Sequence, residues 1–194
     1  MAQTTKRALA ASLKKLLAEK PLDKITVTDV AEDCGVNRQT FYYHFKDIYD
    51  LLEWIYTSEA SRVLGDQRTY DTWQQGYLRL FDYALENKAL VYHTYHSAAR
   101  EYLMRYLHEE AYGLVLGVVE EKAAQVPLRD EDKAFIATFY QYGLVGLLCD
   151  WIEAGMKEAP EHIADHLGQV IAGNIPAAIQ RLRTDGARQK EPSV

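Results

Sequence analysis

Residues 25–45 read Ile25-Thr-Val-Thr-Asp-Val-Ala-Glu-Asp-Cys-Gly-Val-Asn-Arg-Gln-Thr-Phe-Tyr-Tyr-His-Phe45. Thr26 stands three residues before Asp29, close to a capping box, so a helix is expected to start there. Gly35 sits where that helix must stop, because a left-handed residue closes a helix most cheaply when it has no Cβ. Asn37 then caps a short helix running to about His44. Two short helices across a tight glycine turn predict a helix-turn-helix.

The second of these helices carries the functional signal. Phe41 and Phe45 are four apart and share one face, which anchors the helix in a small core. That rotation turns Arg38, Gln39, Tyr42 and Tyr43 away from the core. Arg reads guanine and Gln reads adenine through paired hydrogen bonds in the major groove. Hydroxyls, imidazole and a lysine suit phosphate, which places Tyr43, His44 and Lys46 there. Thr26 and Thr28, opening the preceding helix, suit phosphate as well. The alternative is an ordinary helical hairpin in which Tyr42 and Tyr43 are core aromatics. The order of cap, turn, cap and phased phenylalanines argues against it.

Working outward, Leu9, Leu13, Leu16 and Leu17 form one apolar stripe of a first helix that ends before Pro21. Val30, Ala31 and Val36 are expected to pack against Leu9, Leu13 and Leu16, with Phe41 and Phe45 closing that core. Asp47 can cap a helix from Ile48 past Trp54. Beyond a loop at Gly65–Asp71, helical patterns cover roughly 72–86, 88–97, 98–124, 130–156 and 160–183. Pro176 is expected to kink or break the last. Strand alternation is almost absent. The fold class is therefore all-α, about nine helices, with a three-helix head at 1–46, a helical body at 47–183 and a flexible tail at 184–194.

The 194 residues are 48% hydrophobic and 26% charged, an ordinary globular balance. Cys34 and Cys149 are too far apart, and too few, for a disulfide framework or a zinc site. The longest apolar stretch, Gly143 to Cys149, is short of a membrane span, and Lys14 and Lys15 interrupt any signal-peptide core. A cytoplasmic protein is expected, without membrane, metal or cofactor. The net charge is −6, but residues 1–46 carry eight Lys and Arg against five Asp and Glu, a balance of +3. The remaining residues balance at −9, a basic reader on an acidic body.

Thr26-Val-Thr-Asp-Val-Ala, Cys34-Gly-Val and Arg38-Gln-Thr-Phe-Tyr-Tyr-His-Phe-Lys46 resemble the N-terminal signature of the TetR/AcrR family of bacterial transcription regulators. Asn37 to Tyr42 together with Tyr49-Asp-Leu-Leu-Glu-Trp-Ile55 resemble most the TetR-type activators of dihydroxyacetone kinase operons. The resemblance implies a homodimer on a near-palindromic double-stranded DNA operator, acting as a repressor more often than as an activator. It implies that Arg38, Gln39 and Tyr42 meet base edges, and that Thr26, Thr28, Thr40, Tyr43, His44 and Lys46 meet phosphates. Many relatives carry glycine in place of Gln39, so base preference does not transfer.

The resemblance also assigns dimerisation and an effector, small molecule or protein, to the later helices. Tyr140, Gly143, Leu144, Leu147 and Trp151, with Ile163, Leu167, Val170 and Ile171, are compatible with a four-helix dimer interface. The alternative is a buried helix inside a monomer. Tyrosine occurs 14 times, and Tyr83, Tyr92, His93, Tyr95, His96, Tyr102 and Tyr106 suggest a pocket as a set, though each reads singly as a core or surface aromatic. His162 and His166 flank Asp165 at helical spacing, which a solvated face explains. No P-loop, nucleophile elbow or H-E-x-x-H occurs, so an enzyme is disfavoured; an interaction adaptor lacking DNA binding is the other alternative. An effector is expected to act by moving the helix over Asp47 to Tyr56.

Overall fold

A computed structural model describes residues 2–63 and 69–185. Among them are ten α-helices and one 3-10 turn, and no strand. The head consists of α1 (Ala2–Leu17), α2 (Val27–Asp33) and α3 (Arg38–His44), with the 3-10 turn Leu22–Lys24 between the first two. Leu9, Leu13, Leu16 and Leu17 of α1 are buried with Val30 and Ala31 of α2 and with Phe41 and Phe45; Val36 packs against them half-buried. Burying such side chains contributes roughly 1.5–3 kcal/mol each. Polar ties fix the register: the Ser12 hydroxyl donates to the Val30 carbonyl at 3.1 Å and to Asp33 at 2.7 Å, and Lys15 reaches Asp33 at 2.5 Å.

The long α4 (Ile48–Val63) leads from the head into the body. Asp47 accepts from the Asp50 backbone N–H at 2.9 Å, so it caps the start of α4. The body continues through α5 (Trp73–Glu86), α6 (Lys88–Tyr95), α7 (Arg100–Ala123) and α8 (Asp130–Glu153). The loop expected at 65–71 falls largely outside the described residues. The two longest helices, α7 and α8, pack along each other, and Gln141 on α8 donates to His108 on α7 at 2.6 Å. Tyr77 on α5 donates its buried hydroxyl to the Leu144 carbonyl at 2.8 Å. By length and composition α8 is apolar enough to cross a membrane, but half of its most apolar window is buried inside the protein.

The last predicted helix is two: α9 (Pro160–Ile171) and α10 (Asn174–Leu182). The break falls at Gly173, whose φ of +73° is the left-handed region, and Pro176 sits in the first turn of α10, where a missing N–H is tolerated. Gly168 of α9 faces the Gln74 side chain of α5, whose amide donates to the Ala164 carbonyl at 3.2 Å. Thr184, expected in a free tail, is held by its backbone N–H to the Pro127 carbonyl at 2.9 Å. The rest of that tail, 186–194, lies outside the described residues.

Candidate nucleic-acid interface

The capping box of α2 is complete. The Asp29 N–H donates to the Thr26 hydroxyl at 3.2 Å, and the Thr26 N–H donates to the Asp29 carboxylate at 2.7 Å. The Thr26 N–H and the Thr26 hydroxyl, both donating to the carboxylate, with Lys20 nearby at 3.1 Å, hold the Asp29 carboxyl at about 2, below its ordinary range. At the other end, Gly35 has φ +73° and donates to Glu32, while Val36 donates to Ala31, the paired bonds of a Schellman turn. Asn37 then accepts from the Thr40 N–H at 2.8 Å and opens α3.

The orientation of α3 follows from its two phenylalanines. Phe41 and Phe45 are 0% and 3% exposed, with ring centroids 5.9 Å apart. Phe45 also packs on Trp54 of α4 at 5.9 Å, with the Lys6 ammonium over the Phe45 ring at 5.1 Å. The opposite face presents Arg38 and Gln39, both exposed, with Tyr42 at 57% and Tyr43 at 83% exposure. Tyr43 meets the half-buried His44 edge-on at 4.9 Å, and Lys46 is exposed just beyond. A guanidinium, an amide, two phenols and an ammonium thus project from one seven-residue helix and its exit, without an acid in its first turn. Such a face offers hydrogen bonds to base edges and positive charge to phosphate.

Thr26 and Thr40 are committed differently from the sequence expectation. The Thr26 hydroxyl donates to Asp29 at 2.8 Å and the Thr40 hydroxyl donates to Asn37 at 3.0 Å. Their protons therefore serve helix caps, while half-buried Thr28 is the first-turn residue of α2.

On the body, the expected dimer residues separate into two groups. Leu144 and Trp151 are 3% exposed and point into the interior of the body; Trp151 packs on Phe81 at 4.8 Å and donates to the Glu158 carbonyl. Buried there, they do not face a partner. Tyr140, Ile163 and Leu167 are half-buried, while Gly143, Leu147 and Val170 are exposed. Sequence reading had missed the most exposed aromatics of α8, namely Phe135, Phe139 and Tyr142 at 63–70% exposure. Spaced four and three apart, they continue through Gly143, Gly146 and Leu147 as one outer stripe. An apolar groove of about 610 Å³ lies beside it, floored by Leu114, Val115 and Val118 of α7.

The seven expected effector residues do not gather around one cavity. Tyr92 and His96 are exposed and pair on the surface at 4.4 Å, with His93 half-buried beside Tyr92. Tyr95 accepts from Arg100 at 2.8 Å, and Tyr102 stacks on Tyr49 of α4 at 6.2 Å. Only Tyr83 and Tyr106 meet in the interior, ring centroids 5.5 Å apart. His162, Asp165 and His166 are all exposed on α9.

Comparison with known proteins adds to this geometry. Residues 3–55 match the family described as "Bacterial regulatory proteins, tetR family", and residues 71–173 match "Transcriptional regulator C-terminal region" of the TetR type. The chain belongs to the TetR family. It is 31% identical over 84 residues to the HTH-type dhaKLM operon transcriptional activator DhaS of Lactococcus lactis subsp. lactis, a match spanning 43% of this chain and 45% of that protein. A solved structure of the dihydroxyacetone kinase operon activator DhaS superposes with a TM-score of 0.70 at 21% identity, covering 93% of this chain and 98% of that one. A putative transcriptional regulator from Pseudomonas aeruginosa PAO1 gives 0.64 at 17% identity, covering 94% and 96%. NalD, the secondary repressor of the MexAB-OprM efflux pump in Pseudomonas aeruginosa, gives 0.57 at 15% identity, covering 94% and 98%. At these identities the solved structures establish the fold shared by this TetR-family chain. The family and its neighbours are transcriptional regulators, not enzymes.

Proposed function

We propose that this TetR-family chain is a cytoplasmic homodimeric regulator that seats two copies of α3 in successive major grooves of a near-palindromic operator. The observation that carries the reading is the rotation of α3, with Phe41 and Phe45 inward and Arg38, Gln39 and Tyr42 outward. In it, those three outward residues meet base edges. Tyr43, His44 and Lys46 meet phosphate through side chains. Thr28 meets phosphate from the first turn of α2, while Thr26 and Thr40, whose hydroxyls and N–H groups are both held in caps, contribute by fixing the helix starts that face phosphate.

Two half-sites require two heads, and the exposed stripe of Phe135, Phe139, Tyr142 and Leu147, with Val170 of α9, supplies apolar area for pairing. A Cβ at Gly143 or Gly146 would meet nothing within 4 Å, so a partner helix has room to approach closely. The head spans 1–46 and the body from 47 carries dimerisation and an effector that acts on the head through α4. A dimer seated on promoter DNA excludes polymerase, which favours repression. Activation is the second reading, favoured by the likeness to DhaS.

Fluorescence anisotropy with DNA from upstream of the coding region tests the proposal. Tight, salt-steep binding of two chains to one near-palindromic site is expected. Equal affinity for unrelated DNA of the same length sinks it. Deleting the gene raises expression from that promoter under repression and lowers it under activation.

A further inference from the structure

The chain passes from head to body through α4, yet α1 also reaches the body directly. Lys14, in the last turn of α1, donates to the Glu59 carboxylate of α4 at 2.5 Å and to the Asn87 side-chain oxygen at 2.9 Å. Asn87 is the corner residue that ends α5 and precedes α6. Its side chain is shared between the two units: the amide nitrogen donates to the Tyr83 carbonyl at 3.0 Å, and the oxygen receives Lys14. Glu59 is steadied from the body as well, since its carboxylate lies against the Tyr83 hydroxyl of α5. One ammonium therefore bridges acceptors on two elements, each in touch with α5.

Other residues of α1 bind the head to itself. Ser12 and Lys15 both reach Asp33 of α2, and the Lys6 ammonium lies over the rings of Phe45 and Trp54 at 5.1 and 5.8 Å. A tilt of α1 thus carries α2 and α3 with it. Against the body α1 also packs on α6, but packing is non-directional and leaves the angle loosely set. Hydrogen bonds have direction, and a single donor group fixed by two acceptors leaves little freedom. A solvated ion pair adds little to stability, so with both side chains still about a quarter exposed the contribution of Lys14 and Glu59 is to orientation.

We propose that Lys14 is a positioning residue for operator spacing: joined to Glu59 and Asn87, it locks the angle at which the head meets the body and so selects the half-site separation that a dimer accepts. This role rests on the reading of the chain as a dimeric DNA binder, and adds to it a residue given no contact with DNA. In a two-fold dimer each rotation of one head is repeated by the other, so an angular change at α1 counts twice in the separation of the two α3 helices. Half-sites on one face of the duplex lie about 34–36 Å apart, and each inserted base pair turns one of them by roughly a tenth of a turn. A locked head accepts one such arrangement; a loosened head accepts several.

Anisotropy of the full-length protein with its near-palindromic upstream site, the half-sites moved apart or together by one and two base pairs, tests this. The wild type is expected to favour one spacing at least tenfold over its neighbours. Lys14→Met, which keeps the stem, lowers that ratio to threefold or less, and Lys14→Arg, which again donates to both acceptors, restores it. Asn87→Ala, changed on the body side, flattens the preference likewise. Lys15→Met, whose partner Asp33 lies within the head, leaves it intact. A ratio between spacings does not depend on the fraction of folded protein, so a general loss of stability does not imitate the result. An undiminished spacing preference in folded Lys14→Met, or in Asn87→Ala should Lys14→Met not fold, overturns the proposal, as does equal flattening in Lys15→Met. Wild-type binding is scored separately: sequence-specific binding that ignores spacing defeats only the role of Lys14, and no specific binding at any spacing defeats the DNA-binding reading itself.

Discussion

Arg38 and Gln39 occupy the first turn of α3 with Tyr42 one turn on, and Tyr43 and Lys46 stand to the side, so in the proposed function base contacts and phosphate contacts fall to different residues. Arg38→Ala or Gln39→Ala is expected to flatten discrimination at one operator position by about 1–3 kcal/mol, the worth of a bidentate base contact. Tyr43→Ala and Lys46→Ala should weaken every sequence by a similar factor, the lysine variant with a shallower salt dependence. Anisotropy across a panel of single-base operator variants separates the two patterns. Gly35→Ala tests the turn. An added Cβ meets nothing within 4 Å, so the cost is backbone strain at φ +73°, about 1–2 kcal/mol by urea unfolding. These residues were legible because each obeys a local rule: a cap three residues before its donor, a glycine where the helix reverses, phenylalanines four apart. The hydroxyls of Thr26 and Thr40 were not, because the oxygen that suits phosphate also suits a cap. Which it serves is decided by a neighbour's carboxylate or amide in three dimensions.

At the scale of elements, α2 is pinned by Asp29. Its folded-state carboxyl, at about 2 against an ordinary 3.8, stabilises the fold at pH above the higher value. That contribution is lost as pH falls through the lower one. Asp29→Asn should therefore unfold more readily than the parent at pH 7, and the gap should close between pH about 4 and about 2; paired urea melts across that range measure it. The two sides of α8 invite a contrast. Phe139→Asp should leave helicity intact by circular dichroism while sedimentation shows dissociation to monomers. Leu144→Ala should instead destabilise each protomer by about 2–5 kcal/mol. A helix apolar on all sides gives no periodicity from which to choose its inner face, so sequence alone does not separate buried Leu144 and Trp151 from exposed Phe135, Phe139 and Tyr142. Helix order was plain from breakers and caps, but Pro176 does not break the helix it was expected to break. The break itself moved to Gly173, since a proline in a first turn is compatible with helix.

For the whole molecule, an all-helical regulator with a reading head was legible from its first 46 residues, but the interior of the body was not. Tyr92, His93 and His96 suggested a pocket because they cluster in sequence, yet Tyr92 and His96 lie outside on α6. Tyr56 and Thr94, unremarkable in sequence, meet only when α4 and α6 pack around α7. The division of charge, +3 on residues 1–46 and −9 on the remainder, also acts at this scale. In stopped-flow measurements, raising salt from 50 to 200 mM should slow association with operator DNA several-fold. A Lys46→Glu variant should start slower and respond less. A polyanion pulls on one end of the protein and pushes on the other. The electric field around DNA thus swings an approaching copy head-first before any atom touches, and collisions that would present the wrong end are turned away at a distance.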